Sequence, residues 1–238
     1  MDRKLRAQLI QDAAAPYRPA GRWAFHFALG KLAGDPYFTA ILEDGIVPRS
    51  ARYLDLGCGQ GLLAAWLLAA GERHARGEWT PALPPPQLRS YRGIELLPQV
   101  TARGRTGLAA HRNRVVLEVG DMARAALGEV DVVSMMDVIH YLVPADQEAL
   151  LRRVRTALAA EGVLLLRIGD AGGGLPFRIS QVTDRTVTLF LGGAIPRMYC
   201  RPFGQWQALL ESLGFSVRKV LPMGGVGFAN ILIVAAPR

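Results

Sequence analysis

Cysteine is nearly absent: only Cys58 and Cys200 occur in 238 residues. That pair gives neither a disulfide framework nor a metal-ligand spacing, so no metal is expected. Long apolar runs are missing too. The longest, LLAAWLLAAG at 62–71, is about half of the roughly 20 residues a membrane span needs. The N-terminus, MDRKLRAQLIQDAAAPYRPAG, scatters charge along its length and lacks the uninterrupted apolar core of a secretory signal. A soluble protein of the cytoplasm is the expectation, long enough for one α/β domain with a full core. Lysine is scarce as well. Of 28 basic residues, all but Lys4, Lys31 and Lys219 are arginine, and the formal net charge is +8. Such a surplus invites a nucleic-acid or acidic partner. The arginines are dispersed, however, with short groups at Arg103/Arg105, Arg112/Arg114 and Arg152/Arg153/Arg155. The last group lies on a predicted helix, where a solvated face accounts for it. In an Ala- and Gly-rich chain the arginine skew reads as coding bias as much as selection for phosphate contacts, and nucleic acid is not the expected partner.

What is present is an alternation. ARYLDLG reads as a strand and GLLAAWLLAAG as a helix ending at Gly71. SYRGIELL is a second strand, followed by PQVTARGRTGLAAHR, a glycine-interrupted helix. RVVLEVGD is a third strand with a short helical turn at MARAAL, and VDVVSMMD is a fourth. ADQEALLRRVRTALAAEG places Leu150, Leu151, Val154 and Leu158 on one face, with Gly162 positioned to end the helix. GVLLLRIGD is a fifth strand and FGQWQALLESLGF an amphipathic helix; FSVRKVLPM and ANILIVAAPR close the chain. Strands alternating with helices predict a parallel sheet covered on both faces. The last two strands are joined only by GGVGF, too short for a crossover, so they should form an antiparallel hairpin. The expected fold is therefore α/β and Rossmann-like, with seven mostly parallel strands.

Three segments stand outside the alternation. Residues 1–50 read as a helical cap on the same domain, with Asp35-Pro36 starting one helix. Residues 74–90 form a Pro-rich insertion and residues 170–202 a second one, both within a domain running over 51–238.

The tightest glycine cluster lies in YLDLGCGQG, directly behind the first strand. Glycines there permit a tight turn and close backbone approach, while the following helix aims its N-terminus at a ligand. A dinucleotide site would need a small third residue where Leu62 stands, so the pattern is wrong for NAD. The spacing is instead Gly57, Gly59 and Gly61, preceded by Asp55. Glu95 closes the second strand, where a carboxylate can accept both ribose hydroxyls. Asp121 follows the third strand, placed to accept from an adenine amino group; Met122 can cover the ring.

On these residues the chain resembles the class I S-adenosylmethionine-dependent methyltransferases. LDLGCGQG is similar to that family's first motif, GIELLP to its ribose-binding motif and GDM to its adenine-binding turn. VDVVSMMDVIHYL and LAAEGVLLLR are similar to its fourth- and fifth-strand segments. The resemblance covers roughly residues 35–238. It implies that the cofactor is S-adenosyl-L-methionine, leaving as S-adenosyl-L-homocysteine. It places Asp55 and Gly57 at the methionine end, Gly59 and Gly61 near the sugar and carboxylate, Glu95 and Leu96 at the ribose, Asp121 and Met122 at the adenine, and Met136 and Asp137 beside the sulfonium. Taken singly, Asp55 could satisfy loop amides, Glu95 could be a strand-end charge and Asp121 a helix N-cap. Jointly, three such coincidences at successive strand ends weigh for the cofactor.

Methyl transfer to a hydroxyl, or to a carbon made nucleophilic by a phenolate, needs a group that takes a proton. His140 in DVIHYL is the first candidate because its range suits transfer near neutrality; a packed structural histidine is the alternative. Tyr199 and Tyr141 are further candidates for holding a polar acceptor. His26 lies on an aromatic-rich helix, RWAFHFALGKL, whose Trp23, Phe25 and Phe27 are expected in the core. His74 and His111 are expected in solvent. The expected acceptor is a small molecule or a chain tethered to an acidic carrier protein. LPFRIS and PRMYCRP also resemble methyltransferases of bacterial aryl-polyene and polyketide-type pathways, which implies an aromatic or polyketide-like acceptor. The competing readings are an RNA methyltransferase and a cofactor-binding accessory protein without turnover.

Overall fold

The computed structural model describes residues 1–172, 197–223 and 230–238. Seven strands hydrogen-bond in the order β3-β2-β1-β4-β5-β7-β6. They are β1 (Ser50–Leu56), β2 (Gln87–Glu95), β3 (Val115–Val119), β4 (Val130–Met136), β5 (Leu158–Gly169), β6 (Phe215–Pro222) and β7 (Asn230–Pro237). The expected Rossmann-like α/β sheet is found. The chain divides into two compact units, the first Met1–Ala126 with Val130–Val133, the second Leu127–Glu129 with Ser134–Arg238.

In the first unit β1 pairs parallel with β2, Asp55 opposite Gly93, and β2 pairs parallel with β3, Glu95 opposite Val119. The strand ends that carry the motifs are thus in register. Helix α4 (Leu62–Ala75) follows β1, and every residue from Leu62 to Ala70 is buried. A helix apolar all round must be covered on every side. Here α1 (Arg3–Ala14), α2 (Arg22–Gly34) and α3 (Pro36–Glu43) all contact it. Trp66 is fully buried and its indole N–H donates to the Phe38 carbonyl at 2.6 Å. Burying a side chain of this size is worth about 2–3 kcal/mol. Asp35 caps α3 as its sequence suggests, accepting from the Tyr37 N–H at 3.0 Å with Pro36 in the first turn.

In the first unit two boundaries differ from expectation. Helix α4 runs past Gly71 to Ala75, because Arg73 in the added turn is buried and bonds Asp12 at 2.6 Å and Gln8 and Glu78 at 3.2 Å. Strand β2 starts at Gln87, inside the Pro-rich insertion, where the Gln87 N–H donates to the Arg49 carbonyl at 2.7 Å. Helix α5 (Pro98–Gly107) packs on β2 and β3. The burial of Trp23 also differs. This residue is 46% exposed, stacked on Phe27 at 4.9 Å with the Arg103 guanidinium 4.3 Å from its ring, while Phe25 is buried as expected.

In the second unit, α6 (Pro144–Ala157) ends at Ala157 and the chain turns into β5 at once, so Leu158 is a buried strand residue rather than part of a helix reaching Gly162. β5 pairs antiparallel with β7, and β7 with β6, which makes the closing strands the expected hairpin. Its GGVGF link lies outside the described residues, as do LPFRIS and most of the 170–202 insertion. Helix α7 (Phe203–Ser212) buries Trp206 and Leu210 before β6. Arg155 is not merely solvated: its guanidinium donates to the Gly214 carbonyl at 2.9 Å and the Arg238 carbonyl at 3.0 Å.

Candidate active site

In the first unit the loop after β1 turns through three glycines in the left-handed region, Gly57 at φ 76°, Gly59 at φ 56° and Gly61 at φ 76°. Side chains are strained there, which explains the glycine spacing. A Cβ built on Gly59 would meet nothing within 4 Å, so the backbone faces open space there, whereas one on Gly61 would lie 2.8 Å from Leu108. Beside it the Glu95 carboxylate accepts from the Gly59 N–H at 3.0 Å and from the Leu97 N–H at 2.9 Å. This one side chain fastens the glycine loop to the end of β2. Gly61 precedes α4 without any side-chain cap, leaving the first amides of that helix available to an anionic group.

Asp55 is buried, and the Tyr91 hydroxyl donates to its Oδ2 at 2.5 Å. Burial, with the Asp55 charge beside it, holds the Tyr91 phenol well above its usual range, so it remains a donor. Burial likewise raises the Cys58 thiol, with Asp55 and Glu95 adding to the effect. A thiol in that state is no nucleophile. The Gly120 N–H donates to the Glu95 carbonyl at 2.9 Å, which ties the ends of β2 and β3 together. Just beyond, Asp121 accepts from the Ala123 N–H at 2.9 Å and caps its turn, with Arg124 at 3.7 Å. Leu96 is 66% exposed beside Glu95, and Met122 is half-buried.

In the second unit Met136 ends β4 half-buried. Asp137 follows at φ 57°, the one non-glycine residue with positive φ among the described residues. Its carboxylate is gripped by Arg167 of β5, Nε to Oδ1 at 3.0 Å and Nη2 to Oδ2. His140 lies in the 3-10 turn Ile139–Tyr141, 3% exposed, and neither ring nitrogen has a hydrogen-bond partner among the described residues. Burial lowers its pKa from 6.5, opposed in part by the Asp137 charge. The ring is therefore neutral near pH 7 and one nitrogen can accept a proton. The Tyr199 N–H donates to the His140 carbonyl at 2.7 Å. The Gln147 amide spans the same turn, donating to Leu142 at 3.0 Å and Tyr199 at 2.8 Å while accepting from Arg201 at 2.9 Å. Tyr141 packs edge-on to His140 at 4.4 Å. His26 and His74 are exposed, and His111 lies 3.6 Å from Glu72.

Tyr91, Arg167 and Gln147 went unremarked in the sequence. Arg167 carried a legible signal, a lone charge inside the apolar strand GVLLLRIG, since a buried cation needs a partner. Gln147 and Tyr91 carried none, because their partners are distant in the chain. Among the described residues no His, Cys, Asp and Glu cluster could hold a metal, and no helix is long and apolar enough to cross a membrane.

Residues 54–164 match the family model described as a methyltransferase domain. No curated protein matches the chain. Among solved structures it is similar to the mitomycin 7-O-methyltransferase, with TM-score 0.62 and 23% identity over 92% of this chain and 58% of that one. It is also similar to N,N-8-amino-8-demethyl-D-riboflavin dimethyltransferase from Streptomyces davawensis, with TM-score 0.61 and 20% identity over 97% and 69% of the two chains. Magnesium protoporphyrin IX methyltransferase from Synechocystis, solved with bound S-adenosylmethionine, aligns at TM-score 0.54 and 13% identity over 85% and 75%. This chain thus spans 58% of the length of the mitomycin enzyme. The structural likenesses establish the fold, and the methyltransferase-domain match covers residues 54–164, a little under half of the chain. The expected resemblance and the S-adenosylmethionine cofactor of that domain are upheld.

Proposed function

We propose that this chain, whose residues 54–164 are a methyltransferase domain that uses S-adenosylmethionine, methylates a small-molecule acceptor. One observation carries the reading: a loop of three left-handed glycines opens to space at Gly59, with the Glu95 carboxylate fixed beside it. The residues present fit the cofactor. Glu95 would hold the ribose hydroxyls, Asp121 the adenine amino group, with Leu96 and Met122 offering apolar cover. Asp55, Gly57, Gly59 and Gly61 would hold the amino-acid end. When bound, the cofactor supplies a methyl group that is already electrophilic. The protein's work is then to orient the acceptor, exclude water and take a proton. His140 is the group for that proton, and Tyr199 orients a polar acceptor.

A small acceptor is favoured over RNA by how the arginines are used. Arg52 bonds Asp131, Arg73 bonds Asp12, Arg92 bonds Glu118 and Arg167 bonds Asp137. Charges neutralised within the fold give little phosphate affinity. The mitomycin and riboflavin-type enzymes, similar in fold, are named for small acceptors, and an aromatic or polyketide-like acceptor, free or carrier-tethered, fits the same reading. The test incubates the protein with methyl-labelled S-adenosylmethionine and a bacterial lysate split into RNA, protein and low-mass fractions. Label in the low-mass fraction is expected. Label on a small acidic protein points to a tethered acceptor, and label in RNA overturns the reading.

A further inference from the structure

Helix α5 is interrupted by glycines that the cofactor reading does not use, and their neighbours explain them. Tyr17, in the 3-10 turn Ala15–Ala20, is fully buried, and its hydroxyl donates to the Gln60 carbonyl at 2.8 Å. Gln60 belongs to the glycine loop itself and is 1% exposed. Its side-chain amide donates to the Ala24 carbonyl of α2 at 3.0 Å, and its Oε1 has no partner among the described residues. Both the peptide and the side chain of Gln60 are thus held by the N-terminal segment. Helix α5 closes in from another side. A Cβ on Gly104 would lie 2.8 Å from the Gln60 carbonyl oxygen, and one on Gly107 would lie 2.4 Å from the Tyr17 ring. Those two positions admit no side chain while the contact stands.

We infer that Tyr17 and Gln60 are positioning residues that brace the glycine loop, fixing the Gly59 and Gly61 peptides, so that residues 1–50 serve cofactor affinity. The inference rests on the cofactor reading above. A buried loop peptide with an unsatisfied carbonyl rearranges to find a donor. Here Tyr17 supplies that donor in advance, so the loop need not be ordered when the cofactor arrives.

The test measures binding of labelled S-adenosylhomocysteine by equilibrium dialysis, with amide hydrogen exchange on the ligand-free protein. Tyr17→Phe removes one hydroxyl and is expected to weaken binding about five-fold, the worth of one hydrogen bond. Exchange at Gly59 and Gly61 should quicken in the same variant. Gln60→Met keeps the bulk, loses the bond to Ala24 and carries the test if Tyr17→Phe does not fold. Asp12→Asn is the comparison: it loosens the 2.6 Å bond from Arg73 to α1. It should lower the melting temperature and leave affinity as in wild type. Unchanged affinity in Tyr17→Phe overturns the brace, as does equal weakening in Asp12→Asn at matched loss of stability. Wild-type protein that binds no S-adenosylhomocysteine overturns the cofactor reading and the brace with it.

Discussion

Arg167, near the C-terminal end of β5 and 3% exposed, holds the carboxylate of Asp137 through two hydrogen bonds, and Asp137 is in the left-handed region at φ 57°. A non-glycine residue in that region is strained by about 1–2 kcal/mol. Asp is among the residues that tolerate it, and the bidentate pair offsets part of the cost. Replacing Arg167 by leucine strands a partly buried carboxylate at a strained position. A loss of about 2–3 kcal/mol is expected in urea unfolding, below the value for a fully buried pair because Asp137 is 24% exposed. A midpoint within experimental scatter of wild type would show that the pair does not hold the turn.

Asp137→Asn should be milder than Asp137→Val. Asparagine keeps local hydrogen bonding and accepts the left-handed conformation, whereas a β-branched side chain does not. Thermal melts of the two variants rank them directly, and a valine variant as stable as the asparagine one would contradict the strain.

Tyr91→Phe removes the hydroxyl that donates to buried Asp55. The variant should be less stable by about 1–3 kcal/mol, the usual consequence of taking a donor from a buried charged acceptor. Denaturant titration reads the change. A neutral outcome would mean that Asp55 is satisfied by the rest of its surroundings.

His140 sets a pH dependence. Burial lowers its folded pKa from the ordinary value of 6.5. The unfolded chain therefore binds a proton near that pH which the native chain refuses. Stability from this group is full above about pH 6.5 and declines as the pH falls below it. His140→Asn should flatten that limb, so its urea midpoint changes less than wild type between about pH 7 and pH 5. Equal slopes would mean that the ring titrates normally. The same variant should lose turnover while retaining cofactor affinity, because His140 is assigned to the acceptor.

Much of the fold was legible because it is written in local patterns. Period-two apolar runs and amphipathic helices gave the seven strands in order, and the shortness of GGVGF gave the antiparallel pair. Helix ends were misjudged where a distant contact decides them. Arg73 extends α4 past Gly71 by meeting Asp12, and Leu158 joins a strand because the sheet buries it. The glycine loop and Glu95 were visible because backbone conformation and charge must be encoded at those positions. The supports were not: Tyr17 to Gln60, Tyr91 to Asp55 and Gln147 to Tyr199 each join residues 36 or more apart. Trp23 was read as core because it is aromatic, and it instead lies at the surface between Phe27 and Arg103.

If the Glu95 carboxylate and the glycine loop form an S-adenosylmethionine site, calorimetric titration of wild-type protein and Glu95→Ala will separate the two proteins. One-to-one binding by the wild type is expected. Loss of the carboxylate should weaken it by more than about tenfold, since the ribose hydroxyls then lose a charged acceptor. Equal affinity in the two proteins, or no binding by the wild type, would contradict such a site.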